Sequence, residues 1–315
     1  MSTAETEVEE FLTSLKPGSR HIYQIGLNHF LQFYQPGTLK DFLDRVEEDQ
    51  TKPRRERKRV ARNVLREFMI HLKEKNLAPK SIRAYMGSVQ SFAQYFEVPI
   101  SLKHMDLPAA LAQTKKYPWS LETVDKFISL FNDEMYKAQA AIFFQSGLGI
   151  SDTLALTYED IKREYESKIT PLCLDLSRIK TSTPFMSFIG AWAVDILTEY
   201  LAHKQWRSEE RLFPVCDEAV EGYFRRIAKQ FIGTYEGRNP AGPHSLRSGF
   251  RTILGDHKVD PLYIEFWMGH SAPEQQKVYV SKSRDGWRQS YKDLAEPWLT
   301  PRAAAIVAGS PENPF

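Results

Sequence analysis

Apolar residues recur at every third or fourth position from Val8 to Phe96, in segments parted only by short breakers. That period admits helices and leaves no run alternating as a half-buried strand would. "VEEFLTSL" is stopped by "KPGS", and "RHIYQIGLNHFLQFY" then sets Tyr23, Leu27, Phe30 and Phe33 or Tyr34 on one side before "QPG" ends it. "TLKDFLDRVEED" follows. "ARNVLREFMIHLKEKN" places Val64, Phe68, Ile70 or His71 and Leu72 around a face. "APKSIRAYMGSVQSFAQYF" starts after Pro79 and repeats Tyr85, Val89, Phe92 and Phe96. Residues 1–105 are thus expected to form a small all-helical domain.

The stretch 106–119, within "EVPISLKHMDLPAALAQTKKYPWS", is rich in proline and lysine and lacks sustained periodicity, so it reads as a linker. A second domain is expected over 120–300, opening with Ser120 as N-cap of "SLETVDKFISLF". "MYKAQAAIFFQSGLG" is a strongly apolar helix stopped by Gly147 and Gly149. In "SKITPLCLDLSRIKTSTPFMSFIG", Leu172, Leu174 and Leu176 alternate with Cys173, Asp175 and Ser177, and Phe185, Ser187 and Ile189 continue the alternation. That predicts a small antiparallel β-hairpin. Helical spacing resumes at "AWAVDILTEYLAHKQ", "EAVEGYFRRIAKQF", "SLRSGFRTILGDH" and "PLYIEFWMGH", and in "SKSRDGWRQSYKDLAEPWL" it puts Trp287, Tyr291, Leu294 and Trp298 near one face. Residues 301–315 read as a flexible tail. The expected fold class is mainly α with a small antiparallel sheet. No internal period of 20–50 residues marks a helical-repeat scaffold.

Composition narrows the classes. No run approaches the ~18 apolar residues of a membrane span, and Met1 to Glu10 is acidic and polar, which predicts no secretory leader and no membrane partner. Cys173 and Cys216 are the chain's two cysteines, too few for a disulfide framework or a zinc site, and a reducing cytoplasm fits. Net charge is only +2, but between Lys52 and Arg66 eight residues are basic: Lys52, Arg54, Arg55, Arg57, Lys58, Arg59, Arg62 and Arg66. Such a run serves equally as a solvated helix face or a phosphate-binding surface.

Reactive side chains gather at three places. Pro243 opens a helix bearing His244 and Arg247, three apart and therefore on one side. Gly269 and Ser271 flank His270, with Tyr279 nine positions further on. Lys180 stands at the bend between the two strands. Arginine clamps phosphate, histidine moves protons or donates to an oxyanion, lysine protonates a leaving oxygen and tyrosine attacks. Singly these are weak: a lone histidine on an apolar helix is more often structural, and the chain has 14 tyrosines.

Order and spacing add what single residues lack. "PHSLRSGFRT" followed by "MGHSAPEQQKVY" resembles the tyrosine recombinases, or phage-type integrases, whose pattern is His-x-x-Arg, then Leu-Gly-His-Ser, then a nucleophilic tyrosine nine residues after that histidine. "SRIKTSTPFMSFI" is similar to the family's lysine-bearing hairpin, and the amino-terminal helices resemble its core-binding, SAM-like domain. "GISDTLALTYEDI" with "DGWRQSYKDLAEPWL" resembles integrases from archaea. The resemblance implies a site-specific recombinase that attacks DNA through Tyr279 and forms a 3′-phosphotyrosyl bond. Lys180 would protonate the leaving 5′-oxygen, His244 would assist at the tyrosine, and Arg247 and His270 would hold the non-bridging oxygens. It further implies no metal and no cofactor, and double-stranded DNA as partner at a specific site. Contacts would come from Lys52, Arg54, Arg55, Arg57, Lys58, Arg59, Arg62, Lys80 and Arg83. The protein would work as a dimer or tetramer on DNA, in the cytoplasm with the nucleoid, in integration or excision of a mobile element. The lack of a long amino-terminal arm-binding domain would fit a simple integrase. The carboxy-terminal segment would either dock on a neighbouring protomer or cover its own domain, and Tyr291 is the second candidate nucleophile.

The family's first arginine belongs in "GLRIS", and here "GLGIS" sets Gly149 at that position. Loss of one guanidinium costs on the order of 10²–10³ in rate if nothing replaces it. Three readings stay open: Arg163, Arg178 or Arg251 supplies the missing group, the protein binds DNA with impaired or no cleavage, or a disabling substitution is present. A type IB topoisomerase shares the tyrosine chemistry, and the resemblance of the first domain to the integrase core-binding domain favours recombination over it.

Overall fold

The computed structural model describes residues 3–103, 107–109, 116–235, 238–270 and 282–301. The chain divides into two compact units, Met1–Gln113 and Thr114–Phe315.

Among the described residues five helices build the first unit: α1 Thr3–Ser14, α2 Pro17–Phe33, α3 Leu39–Thr51, α4 Val60–Glu74 and α5 Pro79–Tyr95. Proline at the first position starts α2 and α5, where a missing N–H costs nothing, and Thr38 with Asp41 forms a capping box on α3. Leu27, Phe30, Phe42, Phe68, Val89 and Phe92 close the core. The buried stripe of α4 is Leu65, Phe68, Met69 and Leu72, while Ile70, expected within it, is 45% exposed. The basic stretch is a loop before it is a helix. Buried Asp49 accepts from the amides of Lys58 at 2.5 Å and Val60 at 3.1 Å, and this pins residues 52–59 against α3. Burial opposes ionisation of Asp49, but the amides of Val60, Lys58 and Arg59 outweigh it and hold the carboxyl below its ordinary range.

The second unit contains α6 Leu121–Ser129, α7 Glu134–Ser146, α8 Ile150–Leu154, α9 Tyr158–Glu166, β1 Leu172–Ser177, β2 Pro184–Ile189, α10 Ala191–Leu201, α11 Asp217–Ile232, α12 Pro243–Asp256, α13 Pro261–Trp267, α14 Arg284–Leu294 and α15 Glu296–Leu299. With one antiparallel pair, from Leu172 opposite Ile189 to Ser177 opposite Pro184, the architecture is mainly α with a small sheet, as expected. Residues 138–146 of α7 are buried without interruption, because α10, α12 and β2 surround it. Strand β1 departs from simple alternation. Cys173 is as buried as Leu172 and Leu174, since α9 covers the face a period-two strand would leave open.

Two boundaries differ from the sequence expectation. The second unit takes in residues read as linker: Tyr117 donates its amide to Pro240 O at 2.9 Å, and buried Trp119 donates Nε1 to Ser245 Oγ at 2.9 Å. At the carboxy end the expected stripe breaks, with Trp287 and Tyr291 buried but Leu294 and Trp298 exposed, because α14 stops at Leu294 and α15 begins on a new axis. The tail from residue 302 lies outside the described residues.

Candidate active site

Helix α7 ends where Gly147 turns left-handed at φ 65°, and a Cβ there would stand 2.7 Å from the Phe250 ring. The turn presents the Gly147 carbonyl to α12. Arg247, on the second turn of that helix, is 4% exposed and donates Nη1 to this carbonyl. Its Nη2 donates to Met268 O at 2.8 Å and to His270 Nε2 at 2.8 Å. The Met268 carbonyl is available because α13 unwinds into Gly269, at φ 67°, and the His270 amide closes the turn on Glu265 O at 2.9 Å.

Glu265 fixes the other edge of the imidazole. Its Oε2 meets His270 Nδ1, and its Oε1 stands 2.7 Å from Arg251 Nη2 as an ion pair without hydrogen-bond geometry. A carboxylate cannot donate, so Nδ1 carries the proton and Nε2 accepts from Arg247. Burial lowers the pKa of His270, the Arg247 and Arg178 charges push it the same way, and Glu265 opposes them. Arg247 is pressed down to about 10, chiefly by burial and then by Arg178, with Asp152 and Glu265 opposing. It remains a cation at neutral pH. Among the described residues its hydrogen-bond partners are all neutral, so none of them carries the negative charge that would pair with this buried cation.

Arg178 arrives from the hairpin turn. Half-buried, it donates Nη1 to Met268 O at 2.9 Å and Gly269 O at 3.1 Å, so two guanidinium groups share the Met268 carbonyl. The buried carboxylate of Asp152 holds the next residue in place, accepting the Ile179 amide at 3.1 Å. Gly149 is the N-cap of α8 with an extended backbone, φ −81°. A Cβ on it would lie 3.3 Å from Asp152 Oδ2 and 4.0 Å from Arg247 Nη1. Of the three arginines weighed as substitutes, Arg163 is exposed on α9 and Arg251 is engaged with Glu265, whereas Arg178 joins the cluster.

The remaining candidates are less closely drawn in. His244 is exposed at the start of α12 and stands 3.3 Å from Lys116 Nζ, which also donates to Ser248 Oγ. The three-residue spacing thus puts His244 outward while Arg247 points inward. Lys180 is exposed on the same turn as Arg178. Tyr279 and Ser271 lie outside the described residues. Tyr291, the second candidate nucleophile, is a core residue: it is fully buried, donates to Gln145 O, and burial raises its phenol far above its usual pKa. In the first unit Arg54, Arg55, Arg57, Lys58, Arg59, Arg62, Lys80 and Arg83 are exposed, Arg83 donating to Pro108 O at 3.3 Å. Lys52 pairs with Glu48 at 2.8 Å. No described group of three or more His, Cys, Asp or Glu could hold a metal ion, and no described helix is long and apolar enough to cross a membrane.

Lys116, Asp152, Arg178 and Glu265 thus flank candidates that motif spacing had picked out. Asp152 and Glu265 carry a faint signal, lying three residues after Gly149 and five before His270. Lys116, 128 residues from His244, carries none.

A mainly helical domain that buries an arginine against a histidine beside a two-stranded hairpin is the arrangement the resemblance to DNA strand-exchange enzymes implies. Residues 120–285 match the model of the phage integrase family, over half of the chain. The chain belongs to that family, the tyrosine recombinases, which cleave and rejoin DNA. It is 25% identical over 261 residues to a tyrosine recombinase XerD of Halalkalibacterium halodurans, covering 74% of this chain and 82% of that one. It is 23% identical to XerC of the same organism, over 90% and 95% of the two chains. The fold is similar to a lambda integrase dimer bound to a core site (TM-score 0.58, 11% identity, covering 89% and 98%). It is also similar to the Tn1549 transposon integrase in complex with a circular intermediate DNA (TM-score 0.53, 19% identity, covering 74% and 85%).

Proposed function

We propose that this chain is a site-specific recombinase whose catalytic group consists of Arg247, His270, Lys180, His244 and Tyr279, acting on double-stranded DNA. The observation that carries the reading is the buried Arg247 guanidinium, whose hydrogen-bond partners among the described residues are neutral and include His270. A scissile phosphate there gives that charge its anionic partner, and the low-dielectric surroundings strengthen the pairing. The Tyr279 oxygen attacks phosphorus and passes its proton to His244. As the Tyr–O–P bond forms, the P–O5′ bond breaks, and the departing 5′-oxygen takes a proton from Lys180. Rejoining reverses these transfers. Arg247 holds the non-bridging oxygens as charge builds on phosphorus, and His270 joins it by taking a proton on Nε2, which turns that edge from acceptor to donor.

The first unit supplies backbone contacts through Lys52, Arg54, Arg55, Arg57, Lys58, Arg59, Arg62, Lys80 and Arg83, which position the protein without reading sequence. Its helical make-up supports reading it as the DNA-binding domain, with the second unit catalytic. In this reading the protein acts as a dimer or tetramer on its site, in the cytoplasm with the nucleoid, and serves integration or excision of a mobile element.

The test uses a nicked duplex carrying the inverted-repeat site that the protein selects from a randomised DNA pool. The unaltered chain should become covalently attached to it. Tyr279→Phe should lose attachment while keeping DNA affinity, and Tyr291→Phe should keep both. Attachment that survives Tyr279→Phe would sink the assignment.

A further inference from the structure

At position 149 the chain departs from the catalytic pattern it otherwise matches, and the geometry around it identifies what stands in. The hairpin turn delivers a guanidinium to the spot from the opposite chain segment. Arg178 Nη1 and Arg247 Nη2 bond the same carbonyl oxygen, Met268 O, at 2.9 and 2.8 Å. Two like charges converge there beside His270, with Asp152 and Glu265 as the nearby carboxylates. Those carboxylates offset the repulsion between the two guanidinium groups without accepting a hydrogen bond from either, and a phosphate with two non-bridging oxygens accepts from two such forks. The side of the site beneath Gly149 is lined by Asp152 Oδ2 and Arg247 Nη1, so an arginine rooted at 149 would be the third guanidinium of the cluster.

We propose that Arg178 is a catalytic residue, supplying from the β1–β2 turn the second phosphate-binding guanidinium that Gly149 cannot. The inference rests on the recombinase reading above. The turn is built to hold the residue: the Arg178 amide donates to Thr183 O at 2.9 Å, the Ser182 amide returns to Arg178 O at 2.7 Å, and Asp152 fixes the Ile179 amide. Lys180 sits on the same turn, so one element carries both the leaving-group acid and the phosphate clamp. Arg178 reaches the cluster with one nitrogen on the carbonyls, and its remaining N–H groups are the ones assigned to the phosphate.

The experiment measures covalent attachment to the selected nicked duplex for the unaltered chain, Arg178→Ala, Gly149→Arg and the double variant, with DNA affinity and thermal midpoint recorded for each. Arg178→Ala should slow attachment by about 10²-fold with affinity nearly unchanged. The double variant should recover to within about tenfold of the unaltered chain, because its guanidinium enters from the N-cap of α8 instead of the hairpin. A merely structural Arg178, bracing Met268 and Gly269, would not be rescued from there. Attachment by Arg178→Ala within about threefold of the unaltered chain overturns the proposal, as does a loss that Gly149→Arg fails to restore. No attachment by the unaltered chain but attachment by Gly149→Arg alone also overturns it, and leaves the tyrosine chemistry standing. Absence of attachment from both removes the recombinase reading itself.

Discussion

Glu265 grips the Nδ1 edge of His270 from five residues upstream, and in doing so decides which imidazole nitrogen faces Arg247. The carboxylate both orients the ring and opposes the charges that depress its pKa. Glu265→Gln keeps the size and removes the charge, so the His270 pKa should fall further below 6.5, as read by the imidazole proton shifts in a pH titration. A value that stays put or rises refutes the assignment of Glu265 as a positioning residue. The linkage has a definite sign. The folded state takes up this proton less readily than the unfolded chain, so His270 destabilises the fold as pH drops through about 6.5, and His270→Gln should soften that loss.

Glu164 ties the carboxy-terminal helix to the sheet. Only 9% of its side chain is exposed. One oxygen accepts the Cys173 amide at 2.6 Å and the other meets Arg288, which also donates Nε to Pro171 O at 3.1 Å. Removing Arg288 leaves that oxygen with only the longer ion pair to Arg284 at 3.8 Å, so Arg288→Ala should cost about 2 kcal/mol, measured as a lower urea midpoint for the second unit. A change under about 0.5 kcal/mol would mean the pair is effectively solvated.

Gly147→Ala should disturb fold and site together. The left-handed backbone disfavours any side chain, and the added methyl would press on Phe250. A loss of about 2 kcal/mol is expected from strain and overpacking, read by thermal melting. DNA attachment should suffer beyond that loss, because the carbonyl that moves is the one Arg247 leans on.

Replacing Arg54, Arg55, Arg57 and Arg59 by alanine should weaken DNA binding evenly across sequences. The dependence of log affinity on log salt should flatten by roughly 0.9 for each phosphate that is no longer neutralised. An unchanged slope would return the loop to the role of a solvated surface.

The loop's shape depends on Asp49, and acid should release it. Its carboxyl is depressed in the fold, so its contribution is present above the unfolded carboxylate range and disappears as pH falls through the lower folded value. Amide exchange at Lys58 and Val60 should rise on acidification and in Asp49→Ala at neutral pH. Unchanged exchange in that variant would contradict the pinning role.

Helical periodicity by itself determined most of the elements, because each amphipathic stripe records which side must leave water: Phe30, Phe68 and Phe92 could be assigned to a core before any neighbour was known. The hairpin was legible from alternation, and the order of His244, Arg247, His270 and Tyr279 was legible because it resembles the motif spacing of the tyrosine recombinases. Periodicity failed where several elements share one surface. Cys173 is buried by α9, Trp119 is drawn into the second unit by Ser245, and Tyr291 is a core residue packed on Phe188 and Trp267 with its hydroxyl on Gln145 O. Only the tertiary structure could bring Arg178, and neither Arg163 nor Arg251, onto one carbonyl with Arg247, and set Lys116 beside His244. Such pairings span tens of residues or more, and local spacing holds no record of contacts made by packing.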